Sequence, residues 1–167
     1  MALGLPSAVG AFFQLSRYLF PGHIIAARTW VAMSNRSESG TTRPLRIYLG
    51  DLTYTTLPLA TDAFPLNVGF VAAYASEAFG SEIDLKLFKY VDDLENAINE
   101  APPDILGMSN YAWNFNLGLE FPRMARTPSP QTICVMSGPN FPPEDEGREQ
   151  FVKRNSLIDY KVSQPVT

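Results

Sequence analysis

Cysteine and histidine are almost absent from this chain of 167 residues, which contains one of each, Cys134 and His23. A single cysteine cannot form an internal disulfide, and it cannot supply the several thiolates that an iron–sulfur cluster or a structural zinc site requires. Because Cys134 lies within an apolar run, we expect a buried and inert thiol. One histidine without partners gives poor support for a metal site, and we name no metal ligand.

Several sequence motifs of enzymes are also missing. No Gly-x-Ser-x-Gly elbow accompanies His23, which argues against nucleophilic hydrolysis. No Gly-x-Gly-x-x-Gly follows the first predicted strand and no Walker-type motif occurs, so nicotinamide and nucleotide-triphosphate sites lack their phosphate cradle. We therefore name no catalytic residue.

Neither an excess of basic charge nor a long apolar run is present. The net charge of -4 gives no electrostatic reason to expect nucleic acid as a partner. Polar residues interrupt the apolar content of residues 1–44, so nothing approaches the roughly 20 apolar residues that a membrane span needs. We expect a cytoplasmic protein with one folded domain that binds neither nucleic acid nor membrane.

Residues 1–44 differ from the remainder, because no acidic residue precedes Glu38 and residues 34–44 have the composition of a linker. The first charge, Arg17, follows the apolar run of residues 8–13, which is the wrong order for a signal peptide. We interpret residues 1–44 as a poorly ordered leader and linker, or as sequence upstream of the true start, with a transit peptide as the alternative. Residues 45–162 form the predicted domain, and residues 163–167 form a tail.

Strand and helix patterns alternate five times across residues 45–162. The second strand alternates polar and apolar residues, which is typical of an edge, whereas the third and fourth are continuously apolar, as in central parallel strands. Connection handedness then favours helices on both faces of the sheet. We predict an α/β, three-layer, flavodoxin-like fold with a five-stranded parallel sheet in the order 2-1-3-4-5. The predicted strands are Leu45–Asp51, Glu82–Tyr90, Asp104–Met108, Thr132–Met136 and Leu157–Val162.

Four helices are predicted between these strands. The first ends at Gly80, and because both of its faces are apolar we expect it to be largely buried or covered. Asp92 is predicted to cap the second helix and Asn114 the third, in which Pro122 should kink or shorten the helix. The fourth, in residues 144–154, begins with acidic and ends with basic residues, which matches the helix dipole.

Three strand ends converge at one edge of this sheet, and they carry small, polar and aromatic residues. Ligands of open α/β sheets bind beyond the carboxyl ends of the strands, so these segments predict a ligand crevice. Structural roles remain open for the same residues: Ser109 and Asn110 could satisfy backbone groups. We interpret Tyr111 and Trp113 as core aromatics that cover the sheet end more readily than as residues that stack on a cofactor. The segments are Gly50–Tyr54, Ser109–Asn114 and Ser137–Asn140.

Two families with this topology fit poorly. A receiver domain needs a phosphorylatable aspartate at the end of the third strand, where this chain has Met108 and Ser109. Flavodoxin needs a phosphate loop after the first strand, and residues 53–58 contain hydroxyls but no glycine.

The segments DLTY, PLNVGFVAAYA, PPDILGMSNYAWNFNLGLEF, TICVMSGPNFP and LIDYKV resemble the N-terminal cobalamin-binding-type, Rossmann-like domain of radical S-adenosylmethionine (radical SAM) proteins. The resemblance covers roughly residues 45–162 and is most specific in SNYxWN and GPNFP. It implies a corrinoid that lies across the carboxyl ends of the strands.

Site residues follow from this resemblance position by position. Ser109 and the pair Ser137-Gly138 correspond to residues near the nucleotide tail of the corrinoid, where a larger side chain would fill the channel. Asp51 begins the Asp-x-His-x-x-Gly motif of the family, but Thr53 occupies the histidine position and Thr56 the glycine position. The resemblance thus implies cobalamin without histidine ligation. The candidate cofactor-binding residues are Asp51, Thr53, Ser109, Asn110, Tyr111, Ser137, Gly138 and Pro139.

The catalytic module of radical SAM proteins needs three closely spaced cysteines, so this chain carries no iron–sulfur cluster and is not catalytic alone. The resemblance implies a radical SAM barrel in the same or a partner polypeptide, with this chain as a fragment or a stand-alone copy of the accessory domain. The alternative is a domain that binds no cofactor and acts as a scaffold packed on the barrel.

Overall fold

Strands and helices alternate along the chain in the computed structural model, which describes residues 43–53, 65–142 and 144–162. Residues 1–42 of the predicted leader and linker, the loop that contains Thr56 and the predicted tail lie outside the described residues. The strands are β1 (Leu45–Thr53), β2 (Ile83–Tyr90), β3 (Ile105–Ser109), β4 (Ile133–Ser137) and β5 (Tyr160–Val162). The helices are α1 (Leu66–Phe79), α2 (Val91–Glu100), α3 (Phe115–Arg126) and α4 (Asp145–Arg154), and a short 3-10 turn (Gly80–Glu82) follows α1.

The strands form a parallel sheet in the order β2-β1-β3-β4-β5. The predicted order 2-1-3-4 is confirmed, and β2 lies at the edge that its alternating pattern indicated. The strand β5 is short and pairs with β4 through three residues. Both β3 and β4 run one residue further than predicted, to Ser109 and Ser137, which face each other in register.

Alternating side chains divide the core into two clusters, one on each face of the sheet. The larger cluster packs strand residues against Leu94 and Ile98 of α2 and against Phe121 and Ala125 of α3. The smaller cluster centres on three isoleucines, and several of its neighbours are only partly buried. These isoleucines are Ile47, Ile105 and Ile133.

Helix α1 contradicts the prediction that it is largely buried. Ala75 is its one buried residue, whereas Leu66 is 55% exposed and Phe70 is 65% exposed. The helix contacts β1 and β2 at one end of the sheet, so only one of its sides meets the core. Several apolar side chains of α1 are therefore not buried within the described part of the chain.

The predicted N-cap of α2 is also wrong. The N-cap position of α2 is Tyr90, and Asp92 lies in the first turn, where its carboxylate still complements the helix dipole. Pro122 does not end α3, which continues to Arg126 with the proline buried. Because proline has no backbone N–H, the bond that residue 122 would donate to the carbonyl of Gly118 is missing from this helix.

Cys134 lies in the middle of the sheet and is fully buried, as predicted. Burial raises the pKa of this thiol from its ordinary value of 9.0 to about 12. Asp159 accepts a hydrogen bond from the Cys134 backbone nitrogen at 2.8 Å and also pairs with Arg126. This arrangement ties α3 and β4 to the segment that leads into β5.

Asp104 lies just before β3 rather than within it, and its carboxylate joins two strands at the amino edge of the sheet. It accepts hydrogen bonds from the Arg43 guanidinium at 2.8 and 3.0 Å and from the Arg46 backbone nitrogen at 2.8 Å. Among the described residues, no helix combines the length and the apolar character needed to cross a membrane.

Candidate functional site at the carboxyl edge of the sheet

The ends of β1, β3 and β4 meet at one edge of the sheet, which we call the carboxyl edge. Parallel strands bring their carboxyl ends to the same side, as the sequence predicted. The register between β1 and β2 shifts between Gly50 and Thr53, which marks an irregular step in β1 at Asp51 and Leu52. Such irregularities re-aim side chains near strand ends.

Asp51, Ser109 and Asn114 form a connected set of hydrogen bonds, which we call the edge network. The Ser109 hydroxyl donates to Asp51 Oδ1 at 2.6 Å, and Asn114 Nδ2 donates to Ser109 Oγ at 2.8 Å. Ser109 is 6% exposed and Asn114 is 2% exposed, so these bonds satisfy groups that water does not reach. The network locks the ends of β1 and β3 together.

Asn114 is the site residue that sequence analysis missed. It stands at the N-cap position of α3, as predicted, but its side chain makes no capping hydrogen bond. Its Oδ1 instead accepts from the Tyr111 backbone nitrogen at 2.9 Å, and its Nδ2 also approaches the Leu52 carbonyl at 3.4 Å. The available signal was its place in the SNYxWN segment, since capping alone would have been served equally well by serine or aspartate.

The loops after β3 and β4 are closed against each other by Asn110, Asn140 and Gly138. Asn110 is fully buried and donates to the Asn140 carbonyl at 3.1 Å, while the Asn140 backbone nitrogen donates to the Asn110 carbonyl at 3.1 Å. A Cβ on Gly138 would lie 2.3 Å from the Asn110 carbonyl oxygen, and its φ of +149° also favours glycine. The close approach of the Asn110 backbone therefore explains why residue 138 is a glycine, without an open channel for a nucleotide tail.

Tyr111 and Trp113, which we call the aromatic pair, stack on each other at the carboxyl edge. Their ring centroids lie 4.4 Å apart at an interplanar angle of 9°. Trp113 is 60% exposed, so the interpretation of this residue as a core aromatic is wrong. The pair is held in place because Asn67 of α1 donates to the Tyr111 hydroxyl at 3.2 Å and Asn114 accepts from the Tyr111 backbone.

The remaining candidates occupy different environments at this edge. Thr53 is 7% exposed at the end of β1 and pairs with Tyr90 of the edge strand β2. Ser137 and Pro139 are exposed beside the closed loops. The structure thus brings Asp51 into contact with Ser109, and leaves Thr53 buried at the end of β1.

The chemistry available at this edge is that of hydrogen bonding and ring stacking. Across residues 43–53, 65–142 and 144–162, no group of three or more potential metal ligands among histidine, cysteine and carboxylate side chains comes together. A cavity of about 380 Å³ lies between α3 and α4, lined in part by Phe115, Phe151 and Arg154. None of the predicted cofactor-binding residues lines it.

The chain was compared with family models and with known protein sequences. No model of a known protein family matches the chain. The 2-(S-pantetheinyl)-carbapenam-3-carboxylate methyltransferase of Streptantibioticus cattleyicolor is 27% identical over 107 residues, which cover 62% of this chain. The match covers only 15% of the length of that methyltransferase.

Two solved structures match the chain in a structural comparison. A cobalamin-binding protein from Desulfitobacterium hafniense DCB-2 superposes with a TM-score of 0.51 at 12% identity, covering 92% of this chain and 71% of that one. The pilus assembly protein CpaE from Caulobacter crescentus CB15 gives a TM-score of 0.46 at 14% identity, over 74% of this chain and 85% of that one. The likeness to the cobalamin-binding protein establishes an α/β fold in which a parallel sheet has the strand order 2-1-3-4.

Proposed function

We propose that this chain is an accessory domain of the cobalamin-binding type, which holds a corrinoid at its carboxyl edge and presents it to a radical SAM barrel. The observation that carries the proposal is the convergence of the β1, β3 and β4 ends on one surface with donors, small residues and an exposed aromatic pair. The fold likeness to a cobalamin-binding protein over 92% of the chain supports it. The sequence likeness to a methyltransferase agrees with a cofactor used in one-carbon chemistry.

The residues present fit a corrinoid on the surface of this edge. Ser137 and Pro139 are exposed, and the rings of the aromatic pair are held in place by Asn67 and Asn114. Asp51 and Ser109 support this surface from below through the edge network.

Two features restrict how the corrinoid would bind. Thr53 offers no imidazole to the cobalt, so the proposed binding is without histidine ligation. The contact between Gly138 and Asn110 closes the seam between the β3 and β4 loops, so the nucleotide tail would have to remain outside it or displace Asn140. The chemical step itself belongs to the barrel, in the same or a partner polypeptide.

A scaffold domain that binds no corrinoid is the second candidate, and the closed seam favours it. Helix α1 adds to this, because it exposes Leu66, Phe70 and Tyr74 on one face at 55%, 65% and 51%. A domain that only packs on a barrel needs such a surface and has no need of a cofactor channel.

Reconstitution separates these candidates. The purified chain is incubated with hydroxocobalamin, desalted, and examined by visible absorption, with the heat-unfolded chain as control. We expect retained corrinoid at a stoichiometry near one per folded chain. A spectrum without corrinoid bands after desalting would contradict the proposal and favour the scaffold.

A further inference from the structure

The exposed indole of Trp113 is the feature of the carboxyl edge that the folded domain itself does not explain. An apolar ring that is 60% exposed loses most of the burial that would stabilise it. Single exposed apolar residues are common on protein surfaces, but this ring is stacked almost parallel on Tyr111. Its orientation is therefore set by its neighbours rather than by chance.

Three elements of the fold hold the aromatic pair. Helix α1 contributes the Asn67 amide to the Tyr111 hydroxyl. The start of α3 contributes Asn114, which binds the Tyr111 backbone and is itself held by Ser109 at the end of β3. Asn114 is 2% exposed, so its bonds to Tyr111 and Ser109 are shielded from water.

Apolar side chains continue this surface on α1. Leu66 and Phe70 lie on the same helical face, four residues apart, and Asn67 places the first turn of α1 against Tyr111. Leu66 is 55% exposed and Phe70 is 65% exposed. Exposed apolar side chains and the polar contact of Asn67 with Tyr111 thus belong to the same first turn of α1.

We propose that Trp113 is a ligand-contacting residue on which a flat conjugated ring of the corrinoid stacks, with Tyr111 as its positioning partner. This inference rests on the proposed function. The ring is either the corrin macrocycle or the base of its nucleotide tail, which share the planar π-face that an indole recognises. The closed seam beside Gly138 directs such a ring to the exposed surface rather than between the loops.

The experiment measures the affinities of two probes, hydroxocobalamin and cobinamide, which lacks the nucleotide base. Dissociation constants are taken from visible absorption for the wild-type chain, Trp113→Ala, Trp113→Phe and the control Tyr74→Ala. Tyr74 is also an exposed aromatic residue, at 51%, but it lies about 10 Å along α1 from Asn67. We expect Trp113→Ala to weaken binding about tenfold, Trp113→Phe to retain most of it, and Tyr74→Ala to match the wild type.

The two probes identify the ring. Weaker binding of both probes by Trp113→Ala supports contact with the macrocycle, and weaker binding of hydroxocobalamin alone supports contact with the base. Hydroxyl-radical labelling with mass spectrometry supplies a second readout, in which either probe that contacts Trp113 protects it and leaves Tyr74 reactive.

Failure of the inference differs from failure of the proposed function. Suppose that the wild-type chain and Trp113→Ala bind hydroxocobalamin equally well, and that the ligand does not protect the indole of the wild-type chain. The stacking role of Trp113 is then wrong, whereas the proposal of a corrinoid-binding domain stands. If the wild-type chain binds neither probe, both ideas are wrong. Circular dichroism of each variant confirms that the comparison is made on folded protein.

Discussion

Ser109 shows how a single hydroxyl can serve both the fold and the candidate site. It accepts a hydrogen bond from Asn114 and donates one to Asp51, so it is the central member of the edge network. Its loss would remove a partner from the buried Asn114 amide and from the partly buried Asp51 carboxylate. The position is thus sensitive even before any ligand is considered.

We expect Ser109→Ala to lower the free energy of unfolding by about 1–3 kcal/mol, because the buried Asn114 amide and the Asp51 carboxylate each lose a hydrogen bond. Urea denaturation followed by circular dichroism measures this change. The matched control is Ser137→Ala on the neighbouring strand, whose side chain is exposed and which should change stability by less than about 0.5 kcal/mol. A loss below about 0.5 kcal/mol for Ser109→Ala as well would show that the edge network adds little to stability.

At the scale of helices and strands, sequence patterns predicted where the elements lie better than they predicted how deeply each element is buried. Alternation in β2 and continuous apolar runs in β3 and β4 reflect local geometry, and so the order 2-1-3-4 could be predicted. The exposure of α1 could not, because it depends on how many elements cover that face of the sheet. A helix that packs on one side and a helix that packs on two sides can have the same apolar sequence pattern.

In the candidate site, too, the features set by strand order could be predicted, whereas the contacts between loops could not. Its position at the strand ends follows from topology, and the contact of Asp51 with Ser109 agrees with it. The bonds of Asn114 and the close approach of Gly138 to Asn110 join residues of different loops, and no local pattern encodes such a contact. The exposure of Trp113 was missed for the converse reason, since an aromatic residue near a strand end is more often part of the core.

Substitution of two leucines tests the difference in burial between α1 and α2. Leu94 on α2 is fully buried in the larger core cluster, whereas Leu66 on α1 is 55% exposed. We expect Leu94→Ala to lower the free energy of unfolding by about 2–5 kcal/mol, through lost burial and the cavity left behind. Leu66→Ala should change it by less than about 0.5 kcal/mol. A large loss for Leu66→Ala in the isolated chain would mean that the exposed face of α1 is covered in solution.

At the scale of the whole molecule, Cys134 reports on opening of the sheet. It lies on β4 within the larger core cluster, and a reagent reaches its sulfur only when the strands and helices around it separate. Its raised pKa adds a second barrier, because the thiolate that reacts is scarce in the folded state. Reaction of this thiol is therefore coupled to global unfolding.

We expect iodoacetamide at pH 8 to label Cys134 slowly in the folded chain and at the rate of a free thiol in urea, as followed by mass spectrometry. The linkage has a definite sign: because burial raises the pKa from 9.0 to about 12, the thiol favours the folded state below pH 9, and this contribution is lost as the pH rises towards 12. Cys134→Ala removes this dependence, so the difference in stability between the wild type and this variant should shrink across that range. Rapid labelling of the folded chain, or a difference that grows with pH, would mean that the core around β4 is open to solvent.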